Sequence, residues 1–213
     1  MSIPLLFEDG DIVVCVKPVG VSSEDGGLPS LLAGQTGCPR IFCVHRLDTA
    51  VSGVMVYAKS GKAAAALSAQ MNAGGFEKLY LAAASGVPES SAGIMRDLLF
   101  KDSRRNKVFV VRRERRGVRQ AELEYAVLGT AKTEYGDLSL LRIRLHTGRS
   151  HQIRVQLASR GMPIPGDGKY GSRIKCPIAL FSSEIAFTHP KTAERVRFSA
   201  KAPDIFPFSE FDL

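Results

Sequence analysis

The sequence predicts an α+β fold: a mostly antiparallel mixed sheet with a few flanking helices. Three observations carry this. Short runs rich in β-branched and aromatic residues outnumber segments with helical spacing. Most neighbouring runs are joined by short turns, which favours antiparallel pairing. No strand–helix–strand alternation, Gly-rich phosphate loop or internal repeat occurs, so a doubly wound parallel sheet is not expected. Taken in order, Ile12 to Val16 reads as a strand stopped by Lys17-Pro18. Gly20 to Gly37 is rich in Gly and Ser, contains Pro29, and reads mostly as loop. Gly53 to Ala58 is a strand. Ser60 then caps an Ala-rich helix through Met71, closed by Gly74-Gly75. Lys78 to Ala84 is another strand. Glu122 to Leu128 and Leu138 to Leu145 are strands separated by a turn-like segment, 133–137. Ser150 caps a helix from His151 to Ser159, ended by Gly161 and Pro163. Ile178 to Ala186 and Val196 to Phe198 supply the last strands, and a Pro- and Phe-containing tail begins at Lys201.

A chain of 213 residues has the length of one domain. It can bury roughly 70% of the surface it exposes when unfolded, so it needs no disulfide staples. A single domain over 1–213 is expected, with 86–107 a candidate excursion from it. Hydrophobic content of 45% and charged content of 23% exclude a disordered tail, a coiled coil and a small disulfide scaffold. No apolar run approaches the length of a transmembrane helix. Met1 to Gly10 has no basic start and turns acidic at Glu8 and Asp9, unlike a secretory signal. Cys15, Cys38, Cys43 and Cys176 form no CxxC pair and stand at no zinc-finger spacing from histidines. They read as reduced thiols, mostly packed in the core, and so point to the cytoplasm. A monomer is the default expectation.

The net charge is +8, and most of it sits in one place. Between Arg96 and Arg119 there are ten basic residues and three acids, a local excess of +7. Among the ten are Arg104, Arg105, Arg112, Arg113, Arg115 and Arg116. Arginine suits planar, bidentate contacts with phosphate better than lysine does. The block reads as an anion-binding surface, with nucleic acid the commonest partner, although a solvated face would look the same. Val108 to Val111 interrupts it, which suggests a hairpin strand with basic ends.

Three further segments can carry chemistry. His45-Arg46-Leu47-Asp48 leads through Thr49 to Ser52 into a strand, so its carboxylate is held by a rigid element yet open to a ligand. On these residues alone Asp48 is open as a nucleophile, a general base or the cap of a turn. Thr147 to Arg154 (TGRSHQIR) enters a helix, where cationic side chains and free backbone N–H groups meet and attract anions. Its His and Arg residues would also suit an ordinary helix surface. Lys78 and Tyr80 share one face of a strand. A tyrosine there can stack on a base, or can be a half-buried strand residue.

The joint order of these segments is far more specific than any one of them. HRLD followed by SG, then K-x-Y, then TGRSHQIR and GDGKYG, closely resembles the RluA-type pseudouridine synthases. The resemblance runs from Asp11 to Pro190. It implies an enzyme that breaks the N-glycosidic bond of a uridine in rRNA or tRNA and rejoins the sugar to carbon 5 of the same base. No cofactor and no metal is implied. Asp48 is implied as the nucleophile, attacking either the anomeric carbon or carbon 6 of uracil. Arg46 helps hold the position vacated by a flipped base, with His45 beside it. Tyr80 stacks on the uracil, Ile153 floors it, and Arg154 pairs with Asp48 to keep the carboxylate ionised in a dehydrated pocket. Arg149 and His151 belong to the same substrate-facing motif. With the Lys17-Pro18-Val19-Gly20 segment this early in the chain, no separate RNA-binding domain is expected before it. The 96–119 block then becomes the natural docking surface.

The pattern departs from the family at three positions. Val51 stands where Thr is usual, Gln156 replaces His, and Phe181 stands where His is common. These bear on local hydrogen bonding and RNA contacts. The competing reading is an RNA-binding or RNA-folding module that does not depend on catalysis. A carboxylate-based hydrolase lacks a second well-placed acid.

Overall fold

The computed structural model describes residues 2–24 and 26–212, so Asp25, within the segment read as loop, lies outside them. Eleven strands and three α-helices occur among the described residues, and the architecture is α+β. The chain divides into two compact units, one of residues 1–79 and 181–201, the other of 80–180 and 202–213.

In the first unit, β1 (Leu5–Glu8), β2 (Ile12–Lys17) and β4 (Ser52–Ala58) pair antiparallel in that order. The start of β4 takes β10 (Leu180–Thr188) as its one parallel neighbour, and β11 (Arg195–Ser199) pairs with β10. A two-residue strand, β3 (Phe42–Cys43), occupies the same edge of β4 farther along. Helix α2 (Gly61–Asn72) buries Ala63 and Leu67 on a core of Val54, Val56, Phe76, Ile185 and Phe187. Ser60 caps it as its sequence predicts, accepting the Ala63 N–H at 3.2 Å. Helix α1 (Leu28–Thr36) corrects the expectation of a loop. Pro29 falls in its first turn, where a missing N–H costs nothing, and Gly37 ends it in the left-handed region, φ 68°. Leu28 and Leu32, one turn apart, are fully buried.

The second unit contains most of β5 (Glu77–Ser85) and the antiparallel strands β6 (Ala92–Asp102), β7 (Lys107–Val111), β8 (Val118–Thr133) and β9 (Gly136–Leu145). Their order is β5-β9-β8-β6-β7. The segment 86–107 therefore includes a full strand, β6, paired with β8 from Ala92 to Phe100. Helix α3 (Gln152–Ala158) lies against Leu99, Val108 and Ala121 through Val155. Its N-cap is His151, at φ 51°, not Ser150 as the sequence suggests. Of the cysteines, all free, only Cys15 is fully buried, and burial pushes its thiol up to about 12. Cys38, Cys43 and Cys176 are half-buried, fewer in the core than the sequence suggests.

Candidate active site

Asp48 sits on the loop that delivers the chain into β4, and several buried groups fasten that loop. Ser23 Oγ accepts the Leu47 N–H at 3.0 Å and donates to the Leu47 carbonyl at 2.7 Å. Tyr57, near the end of β4, donates its hydroxyl to the Ser23 carbonyl. The Val51 N–H closes a turn on the Asp48 carbonyl at 2.9 Å. Lys17 is fully buried, and its ammonium donates to the carbonyls of Pro18, Val21 and Thr49. Burial lowers its pKa to about 8, opposed by the negative charge of Asp48. A buried cation is thus spent on three carbonyls around the loop that carries Asp48, where the sequence suggests only the end of a strand.

The glycine of the Ser52-Gly53 pair is required by a close approach. Gly53 has φ 129°, and a Cβ there would lie 2.3 Å from the Ser182 carbonyl oxygen across the parallel pair. His45 is held in the neutral form. Its Nε2 accepts the Val56 N–H at 3.2 Å, and its ring lies 5.4 Å from that of Phe76. The residue is half-buried, but its Nδ1 is sealed from solvent and has no partner among the described residues. Burial, with the nearby Lys78 charge, lowers its pKa to about 3. Arg46 is exposed and pairs with Glu24 at 2.9 Å.

In the second unit, the TGRSHQIR segment docks on an edge of β8 that β9 leaves open. The Glu122 N–H donates to Thr147 Oγ1, Gln152 Nε2 donates to the Glu122 carbonyl, and Arg149 Nε donates to the Gln120 carbonyl. Gln152 Oε1 also accepts from Thr147 Oγ1 and the Arg149 N–H. These side chains take the place of a neighbouring strand and so fix the start of α3. Ile153 and Arg154 follow, both buried. Arg154 makes a bidentate pair with Asp167, Nε to Oδ2 at 2.6 Å and Nη2 to Oδ1 at 2.8 Å. Asp167 was missed in the sequence reading, although it is the acid of GDGKYG. The glycine before it has φ 81°, and a Cβ there would lie 2.4 Å from the Cys176 carbonyl oxygen. Tyr170 closes the cluster. Its hydroxyl accepts the Val108 N–H at 2.9 Å and bonds His151 Nδ1 at 2.8 Å, while the Arg154 guanidinium lies 5.2 Å from its ring centroid. Tyr80 is buried in β5. Of the departures, Val51 and Phe181 are buried, and Gln156 donates to Asp97 Oδ2 and the Met95 carbonyl.

Six of the eight arginines of the basic block occupy two turns. Arg104 and Arg105 lie between β6 and β7, where both N–H groups donate to Asp102 Oδ1. Arg112, Arg113, Arg115 and Arg116 lie between β7 and β8, all exposed. No group of three or more His, Cys, Asp or Glu side chains placed to hold a metal occurs among the described residues. No helix among them is long and apolar enough to cross a membrane.

A family model described as RNA pseudouridylate synthase matches residues 11–159. The chain belongs to this family. An uncharacterized RNA pseudouridine synthase of Bacillus subtilis, YhcT, is 33% identical over 216 residues, covering 95% of this chain and 69% of that protein. Ribosomal large subunit pseudouridine synthase D of Xanthomonas campestris is 32% identical over 231 residues, covering 95% of this chain and 67% of that protein. Among solved structures, human RNA pseudouridylate synthase domain containing 1 superposes with a TM-score of 0.81 at 21% identity, over 96% of this chain and 85% of that one. Membership makes this pseudouridylate synthase an isomerase that forms pseudouridine in RNA.

Proposed function

We propose that this pseudouridylate synthase works through Asp48 as a covalent nucleophile on a flipped uridine, with ribosomal RNA the first substrate to test and transfer RNA the second. The observation that carries this reading is the loop of Asp48. It is fastened by Ser23, Tyr57 and buried Lys17, and it occupies the HRLD position of a chain whose family is shown. Preorganisation of this kind suits an attacking oxygen that must meet one carbon of a bound nucleotide. Tyr80 stacks on the uracil and assists proton handling at carbon 5, Ile153 floors it, and Arg154 stabilises the ionised Asp48. Arg46 takes the place of the flipped base by releasing Glu24, a surface pair that costs little to break. His45, Arg149 and His151 support these groups. Arg104, Arg105, Arg112, Arg113, Arg115 and Arg116 dock the RNA backbone. The protein acts as a cytoplasmic monomer.

The relative's name, ribosomal large subunit pseudouridine synthase D, supports starting with large-subunit RNA. Unmodified transcripts of ribosomal and transfer RNA, incubated with the purified chain and mapped for pseudouridine, test the reading. New pseudouridine at discrete positions is the expected result. Complete absence from every transcript would favour a binding or RNA-folding role independent of catalysis, which the exposed basic turns also suit.

A further inference from the structure

The arm formed by β6, β7 and the start of β8 has two unlike faces. Residues directly opposite across a ladder share a face, and faces alternate along each strand. Leu99, Val108 and Ala121 point one way, onto Val155 of α3 and Tyr170. The other face presents Leu98, opposite Val111 and Gln120, and Phe100, opposite Phe109 and Val118. None of these is fully buried, and Ile94 farther along β6 is 50% exposed. Leu98 and Val111 also line a cleft of about 610 Å³, together with Arg96 and Arg112 and with the acids Asp97 and Glu122. Leu98, Phe100, Phe109, Val111 and Val118 are half-buried, and a contiguous apolar face that keeps access to solvent can serve as an interaction site.

The charge around it identifies the occupant. Ten cations and three acids lie between Arg96 and Arg119, so an acidic partner with flat apolar groups is required. Cations already lie over these rings. The Arg115 guanidinium lies 4.4 Å from the Phe100 centroid, and Lys107 Nζ lies 5.8 Å from the Phe109 centroid. One face of the half-buried Phe100 ring is thus covered by Arg115, an exposed side chain on a turn that a planar group could displace. We infer that this face is a nucleobase-stacking surface, where unpaired bases of the RNA lie on Phe100 and Phe109 while Arg112, Arg115 and Lys107 take the flanking phosphates. A base has both the flat apolar face and the adjoining negative charge that the patch calls for, and stacking of this kind tolerates any sequence. The inference rests on the proposed RNA-docking role of the basic turns, and it adds the aromatic contacts and the preference for unpaired RNA.

The test uses a single-stranded oligoadenylate carrying 2-aminopurine. It contains no uridine, so binding is read apart from any isomerisation. The intact protein should quench the probe and bind it more tightly than a duplex of equal length. Phe100→Leu and Phe109→Leu keep apolar volume but remove the ring, and each should weaken single-strand binding about tenfold and relieve the quench. Unchanged affinity and quench in both variants would overturn the inference, as would concentration-dependent self-association that either substitution abolishes. Should a variant fail to fold, photocrosslinking of 8-azidoadenosine RNA to the unaltered protein decides the matter. Adducts on Phe100 or Phe109 support the surface, and adducts confined elsewhere refute it. Absence of pseudouridine from natural transcripts would bear on the catalytic reading alone.

Discussion

At the scale of single residues, burial penalises charges that named partners rescue. Arg154 is buried, and Asp167 satisfies two of its donors. Removing one partner of such a pair is strongly destabilising. Asp167→Asn should therefore cost about 3–5 kcal/mol in urea unfolding and lower turnover by about tenfold or more through loss of Arg154 orientation. His45 makes a second prediction, in pH. The folded protein keeps its ring neutral down to about pH 3, while the unfolded chain takes up the proton near the ordinary 6.5. The contribution is fully present above pH 6.5 and is lost as pH falls toward 3, by at most about 1.4 kcal/mol per pH unit. His45→Gln should flatten that part of the stability profile relative to the unaltered protein. Parallel profiles would mean that His45 takes up its proton in the folded state as well. Asp48 and Arg154 were legible as candidates because each sits in a dense polar motif. Asp167 was not, since an acid beside two glycines reads first as a turn residue.

Among the elements, the motifs prove to be solutions to backbone problems as much as to chemical ones. Ser52-Gly53 is the place where β4 passes within contact of β10, and Gly53→Ala should cost about 2–4 kcal/mol because the new Cβ has no room beside Ser182. A shift of the melting temperature measures it, and no shift would contradict the geometry. The strands with strong β-branched runs and the Ser60-capped helix were readable from pattern. Helix α1 was not, because Gly, Ser and Pro density suggests loop, while the buried pair Leu28 and Leu32 decides the outcome through tertiary packing. Strand β6 was masked by its charges, of which Asp97, on the face toward α3, is met by Gln156 and Arg160. The cap of α3 was misassigned because Gln152, bonded to β8, holds His151 in a backbone conformation that no local propensity predicts.

Taken over the whole molecule, the charge excess seen in the composition becomes an arm with basic turns at its ends. Replacing Arg112, Arg113, Arg115 and Arg116 with Gln should weaken RNA binding and reduce the slope of log affinity against log salt by about 3, as fewer counterions are released. An unchanged slope would mean that these arginines face only solvent. The sequence could locate this charge but not its geometry, because the alternation of faces needs the register of three strands. Reaction class was carried by the order of motifs along the chain, and the target uridine is set by RNA shape that no motif encodes. Asp48 is proposed to perform the isomerisation. The most direct measurement maps pseudouridine in ribosomal and transfer RNA treated with the unaltered protein and with Asp48→Ala. Discrete new pseudouridines are expected with the first and none with the second, while RNA affinity stays within about threefold because one carboxylate contributes little to phosphate docking. Equal modification by both proteins would contradict this role of Asp48.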